Sequence, residues 1–251
     1  MTIPLKIKTH REWTNPEGYR ELAVWSNARL LEILIRKFTL TLVPVPTPKP
    51  ALNAALKMPL REYRLKAQTD DCARSVVANI EEGFKRPTTR EYLDFLGFSQ
   101  GSLEEVKGDI SRSLHNELVK SVPDSCLADL GINLKDWNKW CKVGANEPEL
   151  LEFKLRANKG NYRQLREIKG QDLTYEMFME LINKTDYLLR NLVTSLQKSG
   201  QQKEELKKNP DHLEAKKADK WLDKYMNEKG YMKLSDGRWV ESNRGNMSVN
   251  D

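Results

Sequence analysis

Four stretches of this 251-residue chain repeat apolar side chains at alternating spacings of three and four, and that period leaves few folds open. Val24, Ala28, Leu31, Ile35, Phe38 and Leu42 form the first seam, which Ala23, Leu30 and Leu34 widen into a face suited to a bundle core. Leu65, Cys72, Ala73, Val76, Val77 and Ile80 mark a second helix. Tyr92, Leu96, Ser99, Leu103, Val106, Ile110 and Leu114 mark a third. Phe178, Ile182, Thr185, Leu189, Leu192 and Leu196 give a fourth, ending before Gly200. The pattern predicts an all-α chain built on an antiparallel four-helix bundle.

Prolines, glycines and caps punctuate those helices. The first, whose periodicity begins at Tyr19, must stop by VPVPTPKP at 43–50, because repeated prolines remove N–H donors and favour extended backbone. That segment reads as a connector, with a Pro-rich peptide ligand as the other reading. Pro59 suits the first turn of the second helix, and Gly83 suits its end, where a left-handed residue can close it. Lys85, Arg86 and Pro87 form a turn, and Thr88 with Glu91 makes a capping box for the third helix. Gly97, Gly101, Ser102 and Gly108 weaken that helix, so close backbone packing is expected there.

Regular periodicity lapses over 119–170, read as a helical insertion between helices three and four, with short helices at 134–142 and 148–157. After 198 the chain becomes a charged extension. Pro210 can begin a helix carrying Trp221, Leu222 and Tyr225, and the Asp-Gly pair in MKLSDGRWVE signals a β-hairpin. The domain reading is therefore an N-terminal arm (1–18), a bundle (19–198, with the insertion) and a C-terminal extension (199–251) expected to be disordered over its last ten residues.

Composition narrows the chemistry. No apolar run approaches the roughly 20 residues that cross a bilayer, and MTIPLKIKTHREW lacks the apolar segment of a signal peptide. Cys72, Cys126 and Cys141 are few, odd in number and widely spaced, as in a reducing compartment. A cytoplasmic protein without membrane contact is expected. The net charge of +6 leans towards a polyanionic partner, with acids mixed throughout.

No catalytic constellation emerges. Glu81 and Glu82 are an acid pair, but adjacent helical positions point about 100° apart and cannot easily converge on one substrate. Ser75, Asn79 and Glu82 share a polar stripe, read either as a solvated face or as a hydrogen-bonded seam between subunits. His10, His115 and His212 stand alone, so no metal site and no cofactor are expected. Trp137 and Trp140 in DWNKWC offer either base stacking or, as favoured, an anchor holding the insertion on the bundle.

Several short motifs recur together in a known order. YRELAVWSNARLL at 19–31 is followed by Gln68, Ala73, Ser75, NIEEG at 79–83, Arg86, EYLDFL at 91–96 and GSLEE at 101–105. The set resembles a bacterial four-helix-bundle family that includes proteins encoded within intervening sequences of large-subunit ribosomal RNA genes. The accessory variability determinant of diversity-generating retroelements belongs to the same family. The resemblance covers helices one to three, with 172–198 supplying the fourth; the insertion and the extension lie outside it. It implies a non-enzymatic homo-oligomer, a homopentamer in the family, that binds RNA or DNA or a reverse transcriptase. Where the family commonly carries two arginines in its second helix, this chain has Asp70 and Asp71, which would turn phosphate attraction into repulsion.

Two sets of candidate residues follow. For nucleic acid they are Arg61, Arg64, Lys66, Arg74, Lys85, Arg86 and Arg90; for an oligomer or helix seam they are Ser75, Asn79, Glu82, Gly83, Gly101 and Ser102. The competing expectation is a protein-interaction scaffold that acts through the insertion and the extension, without nucleic-acid binding.

Overall fold

The structure, a computed structural model, describes residues 15–42, 60–142, 147–156, 162–208, 210–234 and 239–241. The 43–50 connector, Pro59, most of the N-terminal arm, the Asp-Gly turn and the last ten residues lie outside the described residues. The chain divides into two compact units, Met1–Leu196 and Gln197–Asp251.

The first unit is an all-α bundle. A single 3-10 turn at Gly18–Glu21 leads into α1 (Ala23–Thr41), followed by α2 (Leu60–Phe84) and α3 (Thr89–His115). After an irregular segment come α4 (Leu134–Lys142), α5 (Glu147–Leu150), a two-stranded antiparallel sheet of β1 (Lys154–Arg156) and β2 (Tyr162–Gln164), and then α6 (Tyr175–Lys208). The predicted seams are the ones buried: Val24, Ala28, Leu31, Ile35 and Phe38 on α1, Val76, Val77 and Ile80 on α2, Leu96, Leu103, Val106 and Ile110 on α3, and Phe178, Ile182 and Leu189 on α6.

Cross-helix contacts fix the directions. Trp25 meets Glu81 and Thr39 meets Asp70, so α1 and α2 are antiparallel. Thr69 meets Asp109, Cys72 meets Glu105 and Ser99 meets the Val76 carbonyl, so α3 runs back along α2. Phe38 packs on Phe178 at 5.6 Å, while Asn27 lies beside Asn183 and Tyr187, so α6 runs opposite to α1. This is the alternation of a four-helix bundle.

The α2–α3 turn holds both a success and a correction. Thr88 caps α3 in a complete capping box, accepting from the Glu91 N–H while the Glu91 carboxylate accepts from the Thr88 N–H. Gly83 does not close α2 with a left-handed residue; it lies inside the helix, and the described glycines with positive φ are Gly131 and Gly230. Its role is close approach, because a Cβ there would stand 2.6 Å from the Phe95 Cβ and 2.8 Å from Tyr92. Gly97 and Gly101 overturn the packing expectation from the other side, with nothing within 4 Å of where their Cβ atoms would be.

The insertion is less helical than its pattern suggested. The helix expected at 148–157 ends at Leu150, and the chain turns into β1. The insertion clamps onto α1. The fully buried Trp137 donates its indole N–H to the Ser26 carbonyl at 2.6 Å and packs edge-on against Phe153. Farther along, Lys37 donates to the carbonyls of Arg166 and Ile168, and burial pulls its pKa down. Trp140, more exposed, tilts onto Phe153, so the tryptophan pair anchors the insertion.

In the second unit, α7 (Pro210–Glu228) begins at the predicted proline, and β3 (Tyr231–Lys233) pairs antiparallel with β4 (Trp239–Glu241), as the hairpin signal indicated. α6 runs through Gly200, where the fourth seam was expected to end.

Candidate functional site

The motif residues that opened the question of function meet at one end of the bundle. The Trp25 indole donates to the Glu81 carboxylate at 2.8 Å. The Tyr19 ring tilts against Trp25 at 5.4 Å and meets Phe84 edge-on at 6.1 Å, and Phe84 meets Tyr92 in the same manner. Lys85 stands over the Tyr19 ring at 5.5 Å, and the Arg86 guanidinium over Phe95 at 4.4 Å. Aromatic edges and cations over ring faces each add modest stabilisation beyond buried area. YREL, VW and NIEEG are therefore parts of one lock joining the first turn, α1, α2 and α3.

Glu81 and Glu82 point to different partners, the first to Trp25 and the second to Arg86 at 3.5 Å. The geometry brings no pair of carboxylates onto one reacting centre here. Among the described residues no group of three His, Cys, Asp or Glu side chains can hold a metal ion. No helix among them is long and apolar enough to cross a membrane.

The predicted cations do not form one patch. The side chain of Arg61 lies outside the described residues. Arg64 is exposed near the start of α2, whereas Lys85, Arg86 and Arg90 cluster around its other end. That is about 30 Å away along the helix at 1.5 Å per residue. Lys66 pairs with Asp70, Arg74 with Asp71 at 3.1 Å, and Arg86 with Glu82. The two aspartates thus do more than repel phosphate: each neutralises a neighbouring cation, and Asp70 also accepts from Thr39 of α1 at 2.6 Å.

Of the seam candidates, Ser75 and Asn79 are half-buried on α2, Glu82 is exposed and Gly83 is buried against α3. Gly101 is exposed on α3, with Ser102 half-buried beside it. Sequence reasoning missed Phe98, which lies between Gly97 and Gly101, is 61% exposed, and meets Phe95 edge-on at 5.8 Å. Its off-seam position was the available signal. It also missed the buried polar links between α2 and α3. Asp109, fully buried, accepts from Thr69 at 3.1 Å and pairs with Arg112, and the Cys72 thiol donates to Glu105. Burial and then the Glu105 carboxylate push the Cys72 pKa up to about 12.

The fold is thus that of a helical-bundle protein whose motif residues lock one end of the bundle. Residues 52–125, which include α2 and α3, match the model of the 23S rRNA-intervening sequence protein family. The match supports that family over less than a third of the chain. No curated protein and no solved structure matches the chain.

Proposed function

We propose that the protein is a non-enzymatic helical bundle that associates with copies of itself and presents a surface to structured RNA or DNA, or to an enzyme such as a reverse transcriptase that works on them. The observation carrying the reading is the outer face of α3. Two exposed glycines flank an exposed phenylalanine, with open space where their side chains would be. In a free helix each glycine costs about 1 kcal/mol relative to alanine. A second backbone approaching closely would offset that cost, and Phe98 would supply apolar area. The pentamer implied by the family resemblance would place this face between copies. The intervening-sequence match supports an RNA context, and Arg64, Lys85 and Arg90 are cations available to phosphate.

The test combines sedimentation with binding. Wild-type protein is expected to sediment as an oligomer and Gly101→Leu as a smaller species. Fluorescence anisotropy against a structured RNA and a DNA duplex should show affinity that falls steeply with salt, and the triple change of Lys85, Arg86 and Arg90 to Gln should reduce the slope. A monomer that binds neither probe at low salt would sink this reading.

A protein-interaction scaffold is the second reading. It is favoured by the C-terminal unit, where exposed Trp221 and Tyr225 stack at 5.2 Å beside exposed Leu222 and Met232. It requires loss of a captured protein partner when 211–240 is deleted.

A further inference from the structure

We propose that a groove between α1 and α6 holds an unpaired adenine base, with Asn27 reading its edge. Asn27 is only 2% exposed, and its carbonyl oxygen Oδ1 meets no hydrogen-bond donor among the described residues. Its neighbour Ser26 is fully engaged by contrast, donating to the Ala23 carbonyl and to Asn138. A buried amide without partners loses its hydration and gains nothing in return. An apolar side chain of similar volume would avoid that loss, so the amide points to a partner outside the chain.

Asn27 lines a groove of about 340 Å³ together with Asn183, Lys184, Tyr187 and Leu188 of α6. That size falls within the range of small-molecule sites. The lining matches one chemistry. A carboxamide offers an acceptor and a donor side by side, and adenine presents its N6 amine and N7 in the complementary arrangement. The Tyr187 ring, 66% exposed, gives a face on which a base can stack. Leu188 supplies an apolar wall, and the exposed Lys184, paired with Glu180, stands near enough to share its charge with a phosphate. The Asn27 carbonyl comes to the groove by rotation of the amide about its terminal torsion, which is broad and two-fold. Guanine offers two acceptors on the same edge and leaves the carbonyl unpaired. The choice of ligand rests on the nucleic-acid reading above; the orphaned amide does not.

The test uses the full chain and two mononucleotides, adenosine and guanosine monophosphate, followed by ligand-observed saturation-transfer NMR and titration. Adenosine monophosphate is expected to bind at least tenfold more tightly than guanosine monophosphate. Asn27→Leu should weaken it tenfold or more. Tyr187→Ala, at an exposed position that does not threaten folding, should weaken it several-fold. No adenosine monophosphate signal from the wild type, or the same affinity in both variants, overturns the proposal. Structured RNA bound equally by wild type and Asn27→Leu, with no mononucleotide signal, removes the groove and leaves the RNA reading standing. Selective mononucleotide binding without RNA binding does the reverse. A silent wild type whose sedimentation changes with Asn27→Leu assigns the amide to a protein contact and also overturns the proposal.

Discussion

At Gly83 a methyl group would press on Phe95 and Tyr92, whereas at Gly101 it would enter open space. One residue type is thus present for opposite reasons on neighbouring helices. Overpacking a filled site costs about 1–3 kcal/mol, so Gly83→Ala should lower stability by that order in urea denaturation. Gly101→Ala should raise the stability of the dissociated chain by about 1 kcal/mol while weakening any assembly through α3. A gain in both stability and assembly would show that the glycine serves no contact. The sequence marks both positions as unusual but cannot separate them, because the difference lies in what a second helix does. Asp70 is similar. Its i,i+4 partner Lys66 is readable from spacing, but its bond to Thr39 depends on how α1 and α2 face each other.

The elements were most legible where a period ran long. α1, α2, α3 and α6 follow seams read directly from residue spacing, and the α3 start follows from Thr88 and Glu91. Removing that cap with Thr88→Ala should cost about 1 kcal/mol, checked by thermal melting, with Thr88→Ser recovering most of the loss. No change in Thr88→Ala would mean that the packed Phe84–Tyr92 turn alone fixes the α3 start. The insertion was harder to read. Leu150 and Phe153 keep a helical interval, but Phe153 and Leu155 are both buried two residues apart, and β1 finds its pairing partner at 162–164. Over so short a stretch the two periods overlap, and the partner strand decides. The lock of Tyr19, Trp25, Glu81 and Gly83 was legible as a motif and opaque as a mechanism, since it joins residues 56 positions apart.

On the scale of the whole first unit, α1, α2, α3, the insertion and α6 all contribute to one continuous apolar core. Cys72 and Cys141 sample two regions of it, the α2–α3 interface and the insertion. Both thiols are buried, and burial is the main reason their pKa values rise from 9.0 to about 12. The thiolate is the reactive form, so neither should react with an alkylating reagent at pH 8 while the chain is folded. Between pH 9 and 12 the unfolded chain holds fewer protons at these thiols than the folded one. Their contribution to stability is therefore complete below pH 9 and is lost as pH rises towards 12. Cys126 is only half-buried and serves as the internal control. Because insertion and bundle share one core, they are expected to open as one cooperative unit. Mass spectrometry of protein labelled in rising urea should then find Cys72 and Cys141 modified together, after Cys126. Earlier modification of Cys141 would mean that the insertion detaches while the α2–α3 pair stays closed, making it a separable module on the helical frame.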